Sequence, residues 1–514
     1  MTTSRGGNEF TGGEFTGGRD ELVDVVVIGS GFAGIGAAAE LKRRRIDNVV
    51  ILERASEVGG VWRDNTYPGC RCDIPSSLYS FSFMPKPDWS DRFATQPEIK
   101  QYLVDCVRRL GIESKIRFDA DVASATWDGE SLRWIIAVRD GRTFAARMLI
   151  VGSGALNEPA IPDLPGLDSF DGDVFHSAQW PADFDATGRN VVVVGTGATA
   201  VQVVPQIAAQ TERLTVVQRT APWIVPRGDR AVPAWLQATY GRFPATQSLA
   251  RTAEYYRREL LTNSFAESGR LLRLIERTGN RHIARQVRDP ELRRAVTPNF
   301  RAGCKRVLMS DDWYPTLQRP DVDLVVAPIT AVTPTSVTFA DESGGIREVL
   351  ADTLILATGF HVQHRSILAR IRGASGQSMA AAMGSRRPAA YLGSTISGFP
   401  NLVLMTGPNT GLANNSMVVM IEAQATYAGA LAEQVVASPE RALDVLPTAL
   451  DDFIQELDHR LAGSVWEAGG CMSWYQDGKG RVTALWPGTT TEFRRRTREL
   501  DLRDYQVVPP GGRN

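Results

Sequence analysis

The sequence has 514 residues, which is too long for one hydrophobic core and predicts two or three domains. Its 57 basic and 58 acidic residues give a formal net charge of -1, so we expect no nucleic-acid partner. Five irregularly spaced cysteines argue against a secreted disulfide framework and favour a reducing, cytoplasmic location. No apolar run reaches the roughly 18 residues that a membrane span needs, so we expect no membrane partner.

The glycine-rich segment 1–21 is expected to be a disordered tail, and a nucleotide-binding unit follows it. The β-branched run 23–28 predicts a buried parallel strand that leads through a glycine loop into an alanine-rich helix. Glycines in such a loop allow a tight turn, approach of the backbone to a pyrophosphate, and close packing of helix on strand. Glu53 ends the next predicted strand, where its carboxylate can accept hydrogen bonds from a ribose. The loop residues concerned are Gly29, Gly31, Phe32 and Gly34.

A second unit repeats this plan with one change. The predicted strand 189–194 leads into another glycine loop, and the strand 214–217 ends just before Arg219 and Thr220. Arg219 follows its loop at the offset that Glu53 has from the first loop, and a guanidinium there can pair with the 2′-phosphate of NADP. The alternative is that Arg219 is a solvated charge at a strand end. We therefore expect FAD at the first loop and NADPH at the second, which comprises Gly195, Thr196, Gly197, Ala198 and Thr199.

A third pattern lies between the two loops. It has the form F-x-G-x-x-x-H-S-x-x-W-P and comprises Phe170, Gly172, His176, Ser177 and Trp180. This pattern resembles the fingerprint of the type I Baeyer–Villiger monooxygenases, in which Thr is more usual than Ser at position 177. We expect the fingerprint to be a linker between the two nucleotide units, in which His176 and Trp180 couple domain motion to the position of the nicotinamide.

The segment 59–73 is similar to the G-G-x-W…Y-P-G-x-x-x-D segment of class B flavin monooxygenases, and its aspartate, Asp73, marks the Baeyer–Villiger branch. By this resemblance its paired glycines let the chain pass close to a flavin, while Trp62 and Tyr67 offer planar walls. Core packing is the alternative for the two aromatic rings. The cofactor-binding residues that the resemblance implies here are Gly60, Val61, Trp62, Tyr67 and Asp73.

Two further segments resemble the same family. Lys305 and Arg306 match its K-R pair, which implies that Arg306 reaches the flavin and that Lys305 helps to hold the phosphate of NADP. A solvated basic patch is the alternative for an adjacent Lys-Arg pair. Trp474 lies in a Ser-Trp-Tyr run like the family loop that folds over NADP and the substrate pocket, with ordinary burial as its alternative.

The resemblance, which covers about residues 22–500, implies an α/β fold with two Rossmann-like dinucleotide-binding domains. The NADP domain (158–230 and 300–370) is inserted in the FAD domain (22–157 and 371–514). The NADP domain itself carries a helical insertion over 231–299, where apolar residues recur at helical spacing.

The implied activity is the NADPH- and O2-dependent oxidation of a ketone to an ester or lactone through a flavin C4a-peroxide. In this reading Arg306 stabilises negative charge, and Asp73 positions Arg306. The alternative is a class B flavin monooxygenase that oxygenates an amine or a sulfide. The Cys70-x-Cys72 spacing, with no second ligand pair, does not indicate metal or disulfide chemistry, and we expect no metal site.

Overall fold

The computed structural model describes residues 21–266, 269–340, 345–363, 365–384 and 387–511. The predicted tail lies outside these ranges except for Glu21, which begins the first strand. None of the described helices is long and apolar enough to cross a bilayer.

Parallel pairing dominates the two main sheets, as the β-branched runs predict. The strands, in chain order, are β1 (Glu21–Ile28), β2 (Val49–Leu52), β3 (Ile116–Arg117), β4 (Val122–Asp128), β5 (Arg133–Val138), β6 (Thr143–Val151), β7 (Asp173–His176), β8 (Asn190–Val194), β9 (Arg213–Val217), β10 (Ile224–Val225), β11 (Leu308–Met309), β12 (Val322–Val325), β13 (Ile329–Val332), β14 (Ser336–Ala340), β15 (Ile346–Leu350), β16 (Thr353–Leu356), β17 (Ile371–Arg372), β18 (Leu402–Leu404), β19 (Ala442–Val445) and β20 (Tyr505–Val508).

The helices cover the sheets and form the predicted insertion. In chain order they are α1 (Phe32–Arg43), α2 (Val61–Asp64), α3 (Gln96–Leu110), α4 (Ala198–Ile207), α5 (Ala234–Arg242), α6 (Pro244–Ala266), α7 (Arg270–Gln286), α8 (Pro290–Ala295), α9 (Trp313–Thr316), α10 (Ser366–Arg370), α11 (Met379–Gly384), α12 (Met417–Ala437), α13 (Pro447–Leu461), α14 (Val465–Ala468) and α15 (Thr490–Arg496).

The first sheet has the order β17-β4-β5-β6-β1-β2-β3, and β18 also pairs with β6. The second sheet has the order β12-β9-β8-β16-β7 and is parallel throughout. The chain leaves the first sheet after β6, builds the second, and returns to the first at β17 and β18. Helices α5 to α8 lie between β10 and β11. The predicted α/β architecture, with one Rossmann-like unit inserted in another and a helical insertion in the second, is therefore confirmed.

The first unit is stabilised by burial on both faces of its sheet. Val25 and Val27 of β1 pack in one core cluster with α1 and α12, whereas Val26 and Ile28 pack in a second cluster on the opposite face. Successive side chains of a strand point to opposite faces, so a continuous apolar run is what a doubly covered strand requires.

The two connections between the units run side by side. The backbone N–H of Ala160 donates to Gly359 O at 2.9 Å, and that of His361 donates to Glu158 O at 2.9 Å. The Thr358 hydroxyl adds a hydrogen bond to Ala160 O at 2.7 Å. These bonds hold the two connections together at 158–161 and 358–361.

Candidate active site and nucleotide sites

The first glycine loop is packed as tightly as its sequence predicts. A Cβ on Gly34 would lie 1.8 Å from Gly29 O, so only glycine lets the start of α1 pack on the turn. A Cβ on Gly31 would lie 3.5 Å from the Cα of Gly60, which places the loop against the start of α2. The first turn of α1, which begins at Phe32, carries no acidic residue. Its positive end can therefore accept an anionic pyrophosphate without like-charge repulsion.

Glu53 lies at the end of β2, directly against this loop. Its carboxylate accepts hydrogen bonds from the Ser30 N–H at 2.8 Å and the Ser30 hydroxyl at 2.7 Å. Arg63 Nη1 donates to its other oxygen at 2.9 Å. The fold thus holds a buried carboxylate at the carboxyl end of the strand, in the place predicted for ribose recognition.

The two predicted aromatic walls differ in their surroundings. Trp62 is buried, and its Nε1 donates to the hydroxyl of Tyr79 at 3.1 Å within the core, as the packing alternative requires. A contact of Trp62 with a flavin stays a prediction. Tyr67 instead reaches the second unit, where its hydroxyl donates to Gln202 Oε1 on α4 at 3.1 Å.

Gln202 is a contact that the sequence interpretation missed. Its Nε2 donates to Arg71 O at 3.0 Å, so one side chain of α4 binds two residues of the flavin-side segment. Gln202 is the polar residue in an otherwise apolar stretch of that helix, which is the signal that could have identified it.

The second glycine loop leaves an accessible helix start. A Cβ on Gly195, whose φ is +115°, would lie 2.6 Å from Ala357 O, which explains the first glycine. Gly197 and Ala198 are exposed, and a Cβ on Gly197 would meet no atom within 4 Å. Thr199, in the first turn of α4, is partly exposed, and that turn carries no acidic residue.

Two cations lie together beside this second loop. The Thr196 hydroxyl donates to Thr220 O at 3.2 Å, which holds the end of β9 beside the loop. Burial, and then the positive charge of Arg219, lower the pKa of the Lys305 ammonium. Within the described residues neither cation forms an ion pair. Lys305 lies over the ring of Phe300, with Nζ 5.2 Å from its centroid.

Asp73 and Arg306 form a bidentate ion pair. Arg306 Nε lies 2.5 Å from Asp73 Oδ2, and Nη2 lies 2.6 Å from Oδ1. Burial raises the pKa of Asp73, but the adjacent guanidinium lowers it further, and the net shift is downward. The side chains keep 29% and 26% of their exposure, so the pair faces an opening rather than the closed core.

Two more groups surround the pair. Arg258, from α6 of the helical insertion, adds a second cation that also lowers the pKa of Asp73. The buried Tyr475 phenol lies beside Arg306, and burial raises its pKa to about 12 despite that cation. The pair is therefore bordered by both nucleotide units, the helical insertion and the C-terminal segment.

The fingerprint is not a linker, which corrects the sequence interpretation. Its central residues form β7, the edge strand of the second sheet, in parallel register with β16. A Cβ on Gly172 would lie 2.2 Å from Asp352 O, so this glycine permits close approach of the two chains. Phe170 packs against the core that covers β14 and β16. Trp180 packs edge-on against Phe175 and Phe184 after a short 3-10 helix (Ser177–Gln179).

His176 ends β7 and is buried. Its Nδ1 accepts a hydrogen bond from the Ala178 N–H at 3.1 Å, and its ring packs edge-on against Phe360 of the returning connection. Burial lowers the pKa of His176, which favours the neutral ring. The following Ala178 and Gln179 line a cleft of about 240 Å³ with Asn65 and Pro159, between the two units.

The cysteines include one pair that the sequence analysis did not predict. Cys304 and Cys471 form a disulfide with a Cα–Cα distance of 6.1 Å, although 167 residues separate them. Spacing along the chain carries no sign of such a pairing. Cys70 and Cys72 are free and buried.

Trp474 lies three residues after Cys471, is 45% exposed and packs edge-on against Tyr475.

The comparisons with known proteins agree with this arrangement. Residues 23–242 match the family described as pyridine nucleotide-disulphide oxidoreductase. A Baeyer–Villiger monooxygenase of Streptomyces coelicolor is 44% identical over 95% of this chain and 93% of its own length. One of Pseudomonas aeruginosa is 40% identical over 94% of this chain and 91% of its own length.

Solved structures extend the likeness to the whole fold. The closed crystal structure of cyclohexanone monooxygenase superposes with a TM-score of 0.82 at 26% identity, over 95% of this chain and 100% of that chain. The oxidised steroid monooxygenase bound to NADP gives a TM-score of 0.81 at 29% identity, with the same coverage. The resemblance seen in the fingerprint, the segment ending at Asp73 and the Lys305-Arg306 pair is confirmed over nearly the full length, and the chain belongs to the Baeyer–Villiger monooxygenases.

Proposed function

We propose that this protein uses NADPH and O2 to convert a ketone into an ester or lactone, and that the Asp73–Arg306 pair is its catalytic centre. The observation that carries the proposal is the bidentate, part-exposed ion pair itself. It joins a segment of the flavin-side unit to a segment of the second unit, at an opening bordered by both. The predicted cytoplasmic location stays a prediction.

The residues of the first glycine loop fit FAD. Gly31 and Gly60 let the loop pack against the start of α2, the first turn of α1 carries no acidic residue, and Glu53 offers a carboxylate to the ribose. The second loop fits NADPH, because the exposed Gly197 lies at the start of α4 and the cations Arg219 and Lys305, which form no ion pair with any described residue, lie on the same side. Bound flavin and NADPH together supply the reduction and activation of O2, which protein side chains cannot perform.

Arg306 supplies a permanent positive charge at the opening. A guanidinium keeps its proton at any working pH, and Asp73 holds the pKa of Arg306 above its ordinary value even though burial opposes this. A fixed cation stabilises negative charge that develops on a reacting oxygen. Asp73 engages Nε and Nη2, which fixes the plane of the guanidinium and leaves Nη1 outside that pair of bonds.

Arg219 and Lys305 account for a preference for NADPH over NADH. Their mutual repulsion is relieved when a phosphate binds between them, so part of the affinity comes from a destabilised free site. NADH has no 2′-phosphate and gains nothing from this pair.

A ketone is the substrate class that fits this family and this centre. Among the similar solved structures, two are named for the oxygenation of cyclohexanone and of a steroid. The cation of Arg306 would stabilise the negative charge that develops on oxygen when a carbonyl group is oxygenated beside it.

The test is product analysis of the purified holoenzyme with NADPH, isotopically labelled O2 and a panel of cyclic, aryl and linear ketones. The proposal predicts an ester or lactone that carries one labelled oxygen atom, with NADPH consumed in equal amount. The same panel includes an amine and a sulfide. An amine oxide or sulfoxide without any ester would contradict the proposal and support the heteroatom-oxygenating class.

A further inference from the structure

The disulfide lies at the border of the proposed catalytic centre. Cys304 directly precedes Lys305 and Arg306, while Cys471 lies four residues before Tyr475, the phenol beside Arg306. The crosslink therefore joins the segment that carries the catalytic cation to the C-terminal segment that covers it.

The contact around the disulfide is closely fitted. The Arg301 N–H donates to Gly469 O at 3.0 Å. A Cβ on Gly469 would lie 2.7 Å from the Cβ of Cys304, so only glycine lets the two chains approach to this distance. Gly470 follows with a φ of +77°, a conformation that favours glycine and gives the segment a turn at its start.

Few other interactions hold the tip of this segment. Among the described residues, Ser473 forms hydrogen bonds only with Tyr475 and Gln476, inside the segment itself. Met472 and Trp474 are 82% and 45% exposed. The disulfide is thus the principal long-range connection of residues 471–474 in the described part of the chain.

We propose that Cys304 and Cys471 form a reversible redox modification site, whose disulfide fixes the segment 471–474 against the Arg306 side of the proposed catalytic centre. Reduction releases this segment and opens the centre to water. Disulfides of cytosolic proteins are generally of this transient, redox-sensing kind.

The disulfide is reduced by thiol–disulfide exchange with a dithiol, which supplies the two electrons. A thiolate of the dithiol attacks Cys471 Sγ, because Cys471 is partly exposed whereas Cys304 is buried. The S–S bond breaks, and Cys304 leaves as a thiolate that takes up a proton from water. The second thiol of the reductant then releases Cys471, so two electrons and two protons pass to the protein and the reductant becomes a disulfide. An oxidised dithiol reverses the sequence.

The first test does not depend on activity. Alkylation of the unfolded oxidised protein is expected to label three of the five cysteines and to leave a linked Cys304–Cys471 peptide. After native treatment with dithiothreitol, all five are labelled. Five labelled cysteines before reduction, under air, would overturn the proposal.

The second test measures release of the segment by amide hydrogen exchange. Peptides covering 469–476 are expected to exchange several-fold faster after reduction, and equally fast in oxidised Cys471→Ser and Cys304→Ala. The matched control is Cys106→Ala, which removes a free, buried cysteine of α3 and keeps the slow exchange. Equal exchange in oxidised and reduced protein would overturn the fixing role.

A third readout rests on the proposed function. The fraction of consumed NADPH that appears as hydrogen peroxide, measured with a ketone present, is expected to rise several-fold on reduction and in Cys471→Ser. An unchanged fraction, in enzyme that still forms ester, would overturn control of the centre by the disulfide. An enzyme that forms no ester even when oxidised contradicts the proposed function instead, while the exchange test remains valid.

Discussion

Removal of the Arg219 guanidinium is expected to weaken the binding of NADPH but not that of NADH. Arg219 lies just beyond β9, and among the described residues neither it nor Lys305 forms an ion pair. Burial, and then the positive charge of Arg219, lower the pKa of Lys305. A charge-assisted hydrogen bond contributes about 1.5–3 kcal/mol. Loss of one such bond corresponds to about 10- to 150-fold weaker binding of the phosphorylated nucleotide.

The assay is titration of the holoenzyme with NADP+ and with NAD+ by calorimetry, repeated at high salt. The matched control is Arg213→Ala at the opposite end of the same strand, where the guanidinium pairs with Asp323 at 2.6 Å. This control is expected to bind both nucleotides as the wild type does. Equal weakening for the two nucleotides in Arg219→Ala, or no weakening, would refute the assignment of the 2′-phosphate site.

Three further changes have defined outcomes. The lowered pKa of Asp73 means that its contribution to stability is complete above its ordinary value of 3.8 and is lost only as the pH falls through the lowered pKa. The difference in free energy of unfolding between wild type and Asp73→Asn in urea is therefore expected to stay constant from about pH 5 to pH 8, and a drift in that window would contradict the ion pair. Burial lowers the pKa of His176, so as the pH falls the unfolded chain takes up a proton before the folded protein does. The free energy of unfolding of the wild type is therefore expected to decrease relative to that of His176→Asn below pH 6.5. Parallel pH profiles of the two free energies would argue against a buried neutral ring. The same variant is expected to turn over more slowly while retaining its flavin, as absorbance of the bound cofactor reports. Gln202→Ala removes the hydrogen bonds to Tyr67 and Arg71, so the free energy of unfolding is expected to fall by about 1–2 kcal/mol and the midpoint of thermal unfolding to fall with it. Gln210→Ala, which changes an exposed glutamine, is the control and is expected to leave both quantities unchanged.

The nucleotide units could be predicted because their signals are local. A β-branched run, a glycine loop and a helix follow one another within a few tens of residues, and the observed β1 and β8 agree with the predicted strands to within one or two residues. The spacing of the glycines also has a steric cause, because a side chain at Gly34 would collide with the backbone of Gly29.

The fingerprint was misinterpreted because its partner strand is distant. β7 is short and lies at the sheet edge, and its pairing with β16 depends on residues far along the chain. A parallel edge strand of four residues has no turn or periodicity that distinguishes it from a linker. The connections between the two units lie instead at 158–161 and 358–361.

The Asp73–Arg306 pair and the disulfide show the same limit of prediction from sequence. Asp73 and Arg306 are 233 positions apart, and only the family resemblance suggested their pairing. Cys304 and Cys471 had no such resemblance to connect them. Gln202 gave a weak signal, a polar side chain within an apolar helix, which becomes meaningful only when the two units are placed together.

The central claim is that Arg306 carries the oxygenation step, and Arg306→Ala tests it most directly. Two rates are measured: ester formation, and anaerobic reduction of the flavin by NADPH. The control variant is Arg301→Ala, because Arg301 lies in the same segment as Arg306 but pairs with Glu276 of α7. The account predicts that ester formation falls by about 100- to 1,000-fold in Arg306→Ala while flavin reduction continues, because loss of one electrostatic stabiliser has this effect. Ester formation at the wild-type rate in Arg306→Ala would contradict it.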